Sequence, residues 1–179
     1  DFKTDVLELY YTKVKKIYGE IIRYATKGQS SLSLSEEQNQ HITQIKVENR
    51  KMVEIIREIQ GLSKNVSLFQ NSDNKHIRKE YDKFRKKLVH VLRVIYLFRT
   101  QENDNHYFDA LLKLKKEAME GIHQNNESIN KLIRKNLITV DMGSSLVNDN
   151  DNVNNIIKKL IDIAELIYAK RDTLLENVA

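Results

Sequence analysis

Not one proline interrupts this chain of 179 residues, and only five glycines do. Proline removes a backbone donor and clashes with the preceding turn, and glycine is the usual carrier of turns that need positive φ. A chain nearly free of both has almost nothing to stop a helix. With 40% hydrophobic and 31% charged residues it is globular in composition, and its length fits one domain able to bury a substantial core. An all-α protein follows.

Apolar residues three and four apart mark five helical segments. The first is read over residues 2–27, with the stripe Leu7, Tyr10, Val14, Ile17, Ile21 and Tyr24 and a stop at Gly28-Gln29-Ser30-Ser31. Ser35 and Gln38 form a capping-box signature for the second, whose stripe is Ile42, Ile45, Asn49, Met52, Ile56, Ile59, Ser63, Val66 and Phe69. Asn49 and Ser63 are its polar interruptions. Asn71-Ser72-Asp73 supplies the turn and N-cap of the third, where Ile77, Tyr81, Phe84, Leu88, Val91, Ile95 and Phe98 make the cleanest heptad seam.

A polar break over residues 100–104 precedes the fourth segment, which presents Phe108, Leu111, Leu112, Met119, Ile122, Ile129, Leu132 and Ile133 and ends near Asn136. Thr139 caps the fifth, with the seam Met142, Leu146, Asp149, Val153, Ile156, Leu160, Ile163 and Ile167. Rods of about 30 residues at 1.5 Å per residue are about 45 Å long, and short connections make neighbours antiparallel. The expected architecture is an elongated up-and-down antiparallel bundle of five long helices, with a four-helix bundle carrying an appended arm as the alternative. Residues 1–34 form the N-terminal helix and connection, possessing the outlook of a lead-in from a membrane domain, and residues 35–179 the bundle.

Ser144-Ser145-Leu146-Val147-Asn148-Asp149-Asn150-Asp151 sets polar groups where a core-facing stripe should run. Burying unpaired polar groups is costly enough to need a reason. Two readings stay open for Ser144, Ser145, Asn148 and Asp149. They form an N-terminal helical turn or loop that fixes register, or a polar pocket inside the bundle with Asp149 as acceptor and the hydroxyls as donors. The D-x-[DN]-x-[DN]-G sequence of a calcium loop is not met.

Charge is concentrated elsewhere. From Lys75 to Arg99 nine basic residues face two acidic ones, a net +7 on one helix in a chain of net +5. Lys75, Arg78, Lys79, Arg85 and Lys86 carry the candidate basic face. Such a run is either a solvated face or a surface turned toward anionic lipid or neighbouring loops. No helix-turn-helix or basic-zipper pattern accompanies it, so nucleic acid is not an expected partner.

Catalysis has no constellation. Without cysteine there is no disulfide, thiol nucleophile or Cys-ligated zinc. The five histidines, His41, His76, His90, His106 and His123, never fall in H-x-x-x-H or H-E-x-x-H spacing, and inward Glu-x-x-His pairs of a carboxylate-bridged metal centre are missing. Glu37 with His41, Glu102 with His106, Glu54 with Glu58, and Asp1 with Asp5 have i, i+4 spacing, which solvated helix faces explain more simply than a metal. No enzyme, metal or cofactor is expected. No apolar run approaches the roughly 18 to 20 residues of a membrane span, and with neither an initiator Met nor a signal-peptide pattern the chain reads as a soluble piece of a longer protein.

The run from Ile138 to Asp149, Ile-Thr-Val-Asp-Met-Gly-Ser-Ser-Leu-Val-Asn-Asp, followed by an apolar-striped helix, resembles the C-terminal PhoU-like domain of bacterial sodium/phosphate cotransporters. Those domains carry a similar T-S-L-x-N-D segment, and Ser144 stands where Thr is usual, which keeps the hydroxyl. Asn74 to Arg85 adds a second likeness in its Ile-Arg, Tyr and following Arg, and the similarity spans about Ser35 to Leu175. The resemblance implies a non-catalytic regulatory or assembly domain at the cytoplasmic face of the bacterial inner membrane. Its implied partner is the membrane-embedded transport domain of the same chain; an anionic lipid surface, suggested by the basic run, and a second copy in a homodimer are further candidate partners. A freestanding helical adaptor or phosphate-signalling regulator is the alternative.

Overall fold

Long helices gain little from propensity alone and hold only where an apolar face is packed. The computed structural model describes residues 6–101 and 105–168, and among them every regular element is a helix. The first rod, α1, runs as α-helix over Val6–Leu9, as π-helix over Tyr10–Val14 and as α-helix again over Lys15–Ser31. The others are α2 (Glu36–Gln70), α3 (Lys75–Thr100), α4 (Asn105–Arg134) and α5 (Val140–Tyr168).

Local chemistry sets the boundaries. Ser35 and Gln38 close a reciprocal capping box at the start of α2. The N-cap of α3 is Asn74 rather than the preceding Asn71-Ser72-Asp73: its side chain accepts from the amides of His76 and Ile77, while Ser72 accepts from the Asn74 amide. α4 ends in a Schellman motif, with Asn136 at φ 53° and the Asn136 and Leu137 amides donating to the carbonyls of Ile133 and Leu132. The Asn74 side-chain amide also donates to the Leu137 carbonyl, so this turn is stitched to the start of α3.

α5 is the axis. It packs against α2, α3 and α4, antiparallel to α2 and α4 and parallel to α3, and it buries Leu146, Val153, Ile156, Ile157 and Ile161 completely or nearly so. Those side chains mesh with Leu62 and Phe69 of α2, Ile77, Phe84 and Val91 of α3, and Leu111, Ala118 and Ile129 of α4 in one core. Gly143 permits the closest approach: a Cβ there would stand 2.9 Å from Cγ1 of Ile133 on α4 and nearer still to its Cδ1.

α1 lies along α2, which makes the arrangement a four-helix bundle with an arm rather than five helices around one core. Its expected stripe is split, with Tyr10, Val14 and Ile21 half-buried and Leu7 exposed. Ile17 and Tyr24 are exposed and Ala25 is the buried residue, because α1 has one main neighbour and its π-helical turn rotates the two ends of the stripe relative to one another. Gly28 stays within the helix instead of ending it. On α2 the face toward the core runs through Ile55, Leu62 and Phe69, about one residue off much of the expected stripe, so Met52, Ile59 and Ser63 face solvent, while Asn49 of that stripe is buried and donates to the Tyr18 carbonyl of α1. Leu112 and Met119 of α4 are likewise exposed, since α4 shows only a narrow face to α5 and α3. Ile122 is among the side chains outside the description.

Gly143→Ala is expected to lower unfolding free energy in urea by about 1–2 kcal/mol through overpacking, with Ile133→Val recovering part of the loss in the double variant. An unchanged midpoint for the single variant counts against the close α4/α5 contact.

Candidate functional site

The polar segment of α5 is neither a loop nor a helix end. Thr139 caps the helix by accepting from the Met142 amide, so Ser144 to Asp151 lies within its first three turns. Positions four apart share a face: Ser144 and Asn148 are exposed, whereas Ser145 is half-buried and Asp149 is buried at 3% exposure. Only Asp149 of the four candidates reaches the interior. The serine hydroxyls and Asn148 do not converge on it.

What meets Asp149 comes from other helices. Its Oδ2 accepts from the Tyr81 hydroxyl of α3 at 2.6 Å and from the Asn65 side-chain amide of α2 at 2.9 Å. Phe69 stacks on the Tyr81 ring at 5.2 Å and Phe84 meets it edge-on at 5.5 Å. Burial first, and then the Asp149 carboxylate, pushes the Tyr81 hydroxyl far above the ordinary tyrosine range, so it serves as a donor at any working pH. A second, part-buried bond lies further along the same pair of helices, where Nζ of Lys87 donates to Oδ1 of the fully buried Asn154 at 2.6 Å. Burial draws the Lys87 ammonium below the lysine range despite the opposing pull of Glu117.

Beyond this clasp, half-buried charges lace α5 to its antiparallel neighbours. Asp162 takes Lys51 of α2 at 2.6 Å and Lys115 of α4 at 2.7 Å, and these lysines also reach Glu48 and Glu165. Burial alone would raise the Asp162 carboxyl, but its two ammonium partners outweigh that and hold it below the ordinary carboxylate range. Lys51 and Lys115 are raised, their carboxylates prevailing over burial. The Glu54 and Glu58 pair, with its i, i+4 spacing, clamps Lys159 at 3.1 and 2.6 Å, which lowers Glu54 and raises Lys159.

The basic residues divide. Lys75, Arg78, Lys79, Arg85 and Lys86 are all exposed on α3, whereas Lys87 turns inward. Arg78 donates to the Ser72 carbonyl and Arg85 pairs weakly with Asp82 at 3.4 Å. Among the described residues no three His, Asp or Glu side chains gather in metal-binding fashion. Asp1, Asp5 and Glu102 lie outside the described residues, as does the His123 side chain. Chemically the site is a hydrogen-bonded clasp that ties α5 to α2 and α3.

Reasoning from one stripe per helix misses Tyr81 as a donor and Asn65 as its companion, counts Lys87 only as part of the basic run, and gives Asn150 and Asn154 no inward position. The available signals were a tyrosine within an otherwise apolar seam and asparagines four apart on α5. Comparison of the chain with protein-family models, curated proteins and solved structures gives no match.

Tyr81→Phe is expected to lower the unfolding free energy by about 1.5–3 kcal/mol, the cost of a hydrogen bond to a charged group, with Asp149→Leu costing more because two donors lose their acceptor. A urea midpoint for Tyr81→Phe equal to that of the parent chain rules the clasp out.

The charge ladder sets pH dependence. Asp162 and Glu54 are depressed in the folded state, so their contribution is present above the ordinary carboxylate values and is lost as pH falls through the lowered ones. Lys51, Lys115 and Lys159 are raised, so theirs is complete below 10.5 and is lost as pH climbs through the raised values. Lys87 has the opposite sign and is relieved as pH rises. Thermal melting followed by circular dichroism should show a neutral plateau with an acid fall beginning below about pH 4, and Asp162→Asn should blunt that fall.

Proposed function

We propose that this chain is a non-catalytic regulatory or assembly domain of a sodium-dependent phosphate transporter, PhoU-like in kind and acting through helix-face contacts with a membrane-embedded transport domain. One observation carries the reading: the segment that bears the sequence resemblance also supplies Asp149, the acceptor joining α5 to both α2 and α3. A conformational coupling element needs a group whose bonds span the parts that are to move together.

The coupling runs through α3. Tyr81 faces the clasp while Lys75, Arg78, Arg85 and Lys86 sit on the outer side of the same helix. A shift in the clasp therefore turns the basic face, and with it the side of the domain that the membrane or a membrane-embedded partner meets. A freestanding adaptor has one feature in its favour, the exposed Tyr11, Ile17 and Tyr24 on α1, which would suit a helix docking from another protein.

In a full-length transporter containing this domain, Tyr81→Phe and Asp149→Leu should change sodium-driven phosphate uptake by severalfold at matched membrane abundance. Uptake identical to the parent with a demonstrably loosened domain refutes the control point. Membrane helices encoded directly upstream of Asp1 support the transporter over the adaptor.

A further inference from the structure

The outer side of α3 is more than a row of charges. Val89, Leu92 and Tyr96 stand 64%, 52% and 62% exposed, three and four residues apart, so they form one apolar strip along the solvent side of the helix. Arg85, Lys86 and Arg93 flank the strip, and Lys75 and Arg78 continue the basic character toward the N-terminus, giving a face about 32 Å long at 1.5 Å per residue. Asp82 is the acidic residue on that face and its bond to Arg85 is long. Beside the strip, Arg93 and His90 share a groove of about 470 Å³ with His106 and Lys113 of α4, where Glu117 is the opposing charge.

We propose that this face of α3 lies on a bilayer surface rich in acidic phospholipid, with Val89, Leu92 and Tyr96 entering the headgroup boundary and the flanking cations contacting phosphates. Charge complementarity selects the acidic lipid, and the central apolar strip selects a bilayer over a nucleic acid, whose phosphate backbone offers such a strip no apolar counterpart. Tyr96, apolar in body and polar at its tip, suits the interface itself. The groove beside Arg93 gives a headgroup a seat between two helices. The inference stands apart from the transporter reading, because it concerns the chain alone and holds whatever precedes Asp1.

The test uses the purified chain and vesicles of phosphatidylcholine with and without an equal share of phosphatidylglycerol, sedimented at about 0.1 M salt, where the Debye length is about 10 Å. Binding is expected to the acidic vesicles and not to pure phosphatidylcholine. The exposed triple variant Arg85→Gln/Lys86→Gln/Arg93→Gln should weaken it about 100-fold, about fivefold per charge, with helix content unchanged by circular dichroism. Tyr96→Trp should move its emission to the blue on the acidic vesicles. No sedimentation with acidic vesicles, equal sedimentation with neutral ones, release by inorganic phosphate at constant ionic strength, or retention on duplex DNA in place of vesicles would each overturn the proposal. So would a well-folded triple variant that binds as the parent does.

Discussion

A carboxylate sealed inside a helical bundle has to be given donors, and supplying them to Asp149 dictates how three rods stand against one another. The oxygen that accepts from Tyr81 also accepts from Asn65, so α3 and α2 are both indexed to one atom of α5. Hydrophobic burial would tolerate a slip of either helix along its heptads, since one apolar residue replaces another at small cost. A slip that parts Asp149 from its donors leaves a buried charge without partners, which costs far more than the displaced methyl groups. Apolar packing drives collapse here, and the polar clasp selects one alignment from those that collapse allows.

The rest of the electrostatics extends the same logic away from the centre. Lys51 and Lys115 approach Asp162 from opposite neighbours, and Lys159 is gripped by two glutamates a turn apart. These groups are half in water, so each contributes less than the clasp, yet together they give the antiparallel pairs α2/α5 and α4/α5 a second point of registration. The positive charge of the described residues is thereby sorted: Lys51, Lys115 and Lys159 pair across the α2/α5 and α4/α5 seams, and the cations on the outer side of α3 face solvent.

How far the sequence reveals this depends on the kind of information each feature uses. Helix positions, the capping box at Ser35, the cap at Thr139 and the turn at Asn136 are local, and local chemistry reads them. Asp149 was legible as an inward position because the apolar period carries through it without interruption. Its partners were not, because Asn65 and Tyr81 are 84 and 68 residues away and only the packing of α2, α3 and α5 brings them together. The burial of Asn150 and Asn154 has a related cause. A helix surrounded on three sides has no single stripe, so a periodicity argument assigns to solvent a side that another rod in fact covers. The rotation of the α2 face follows from the adjacent pairs Glu48-Asn49 and Ile55-Ile56, which fit either of two stripes equally well.

The lateral position of α1 sets a hierarchy of opening. A segment supported chiefly by α2, with Ala25 as its buried apolar residue, can peel away without exposing the groups around Leu146 or Ile157. Its amides belong to a unit of low local stability, while those in the middle of α5 become accessible to deuterium only when the whole molecule comes apart. The fold is thus a cooperative four-rod block with a detachable outrigger, and among the described residues an event at the amino-terminal side reaches the block chiefly through the flank of α2.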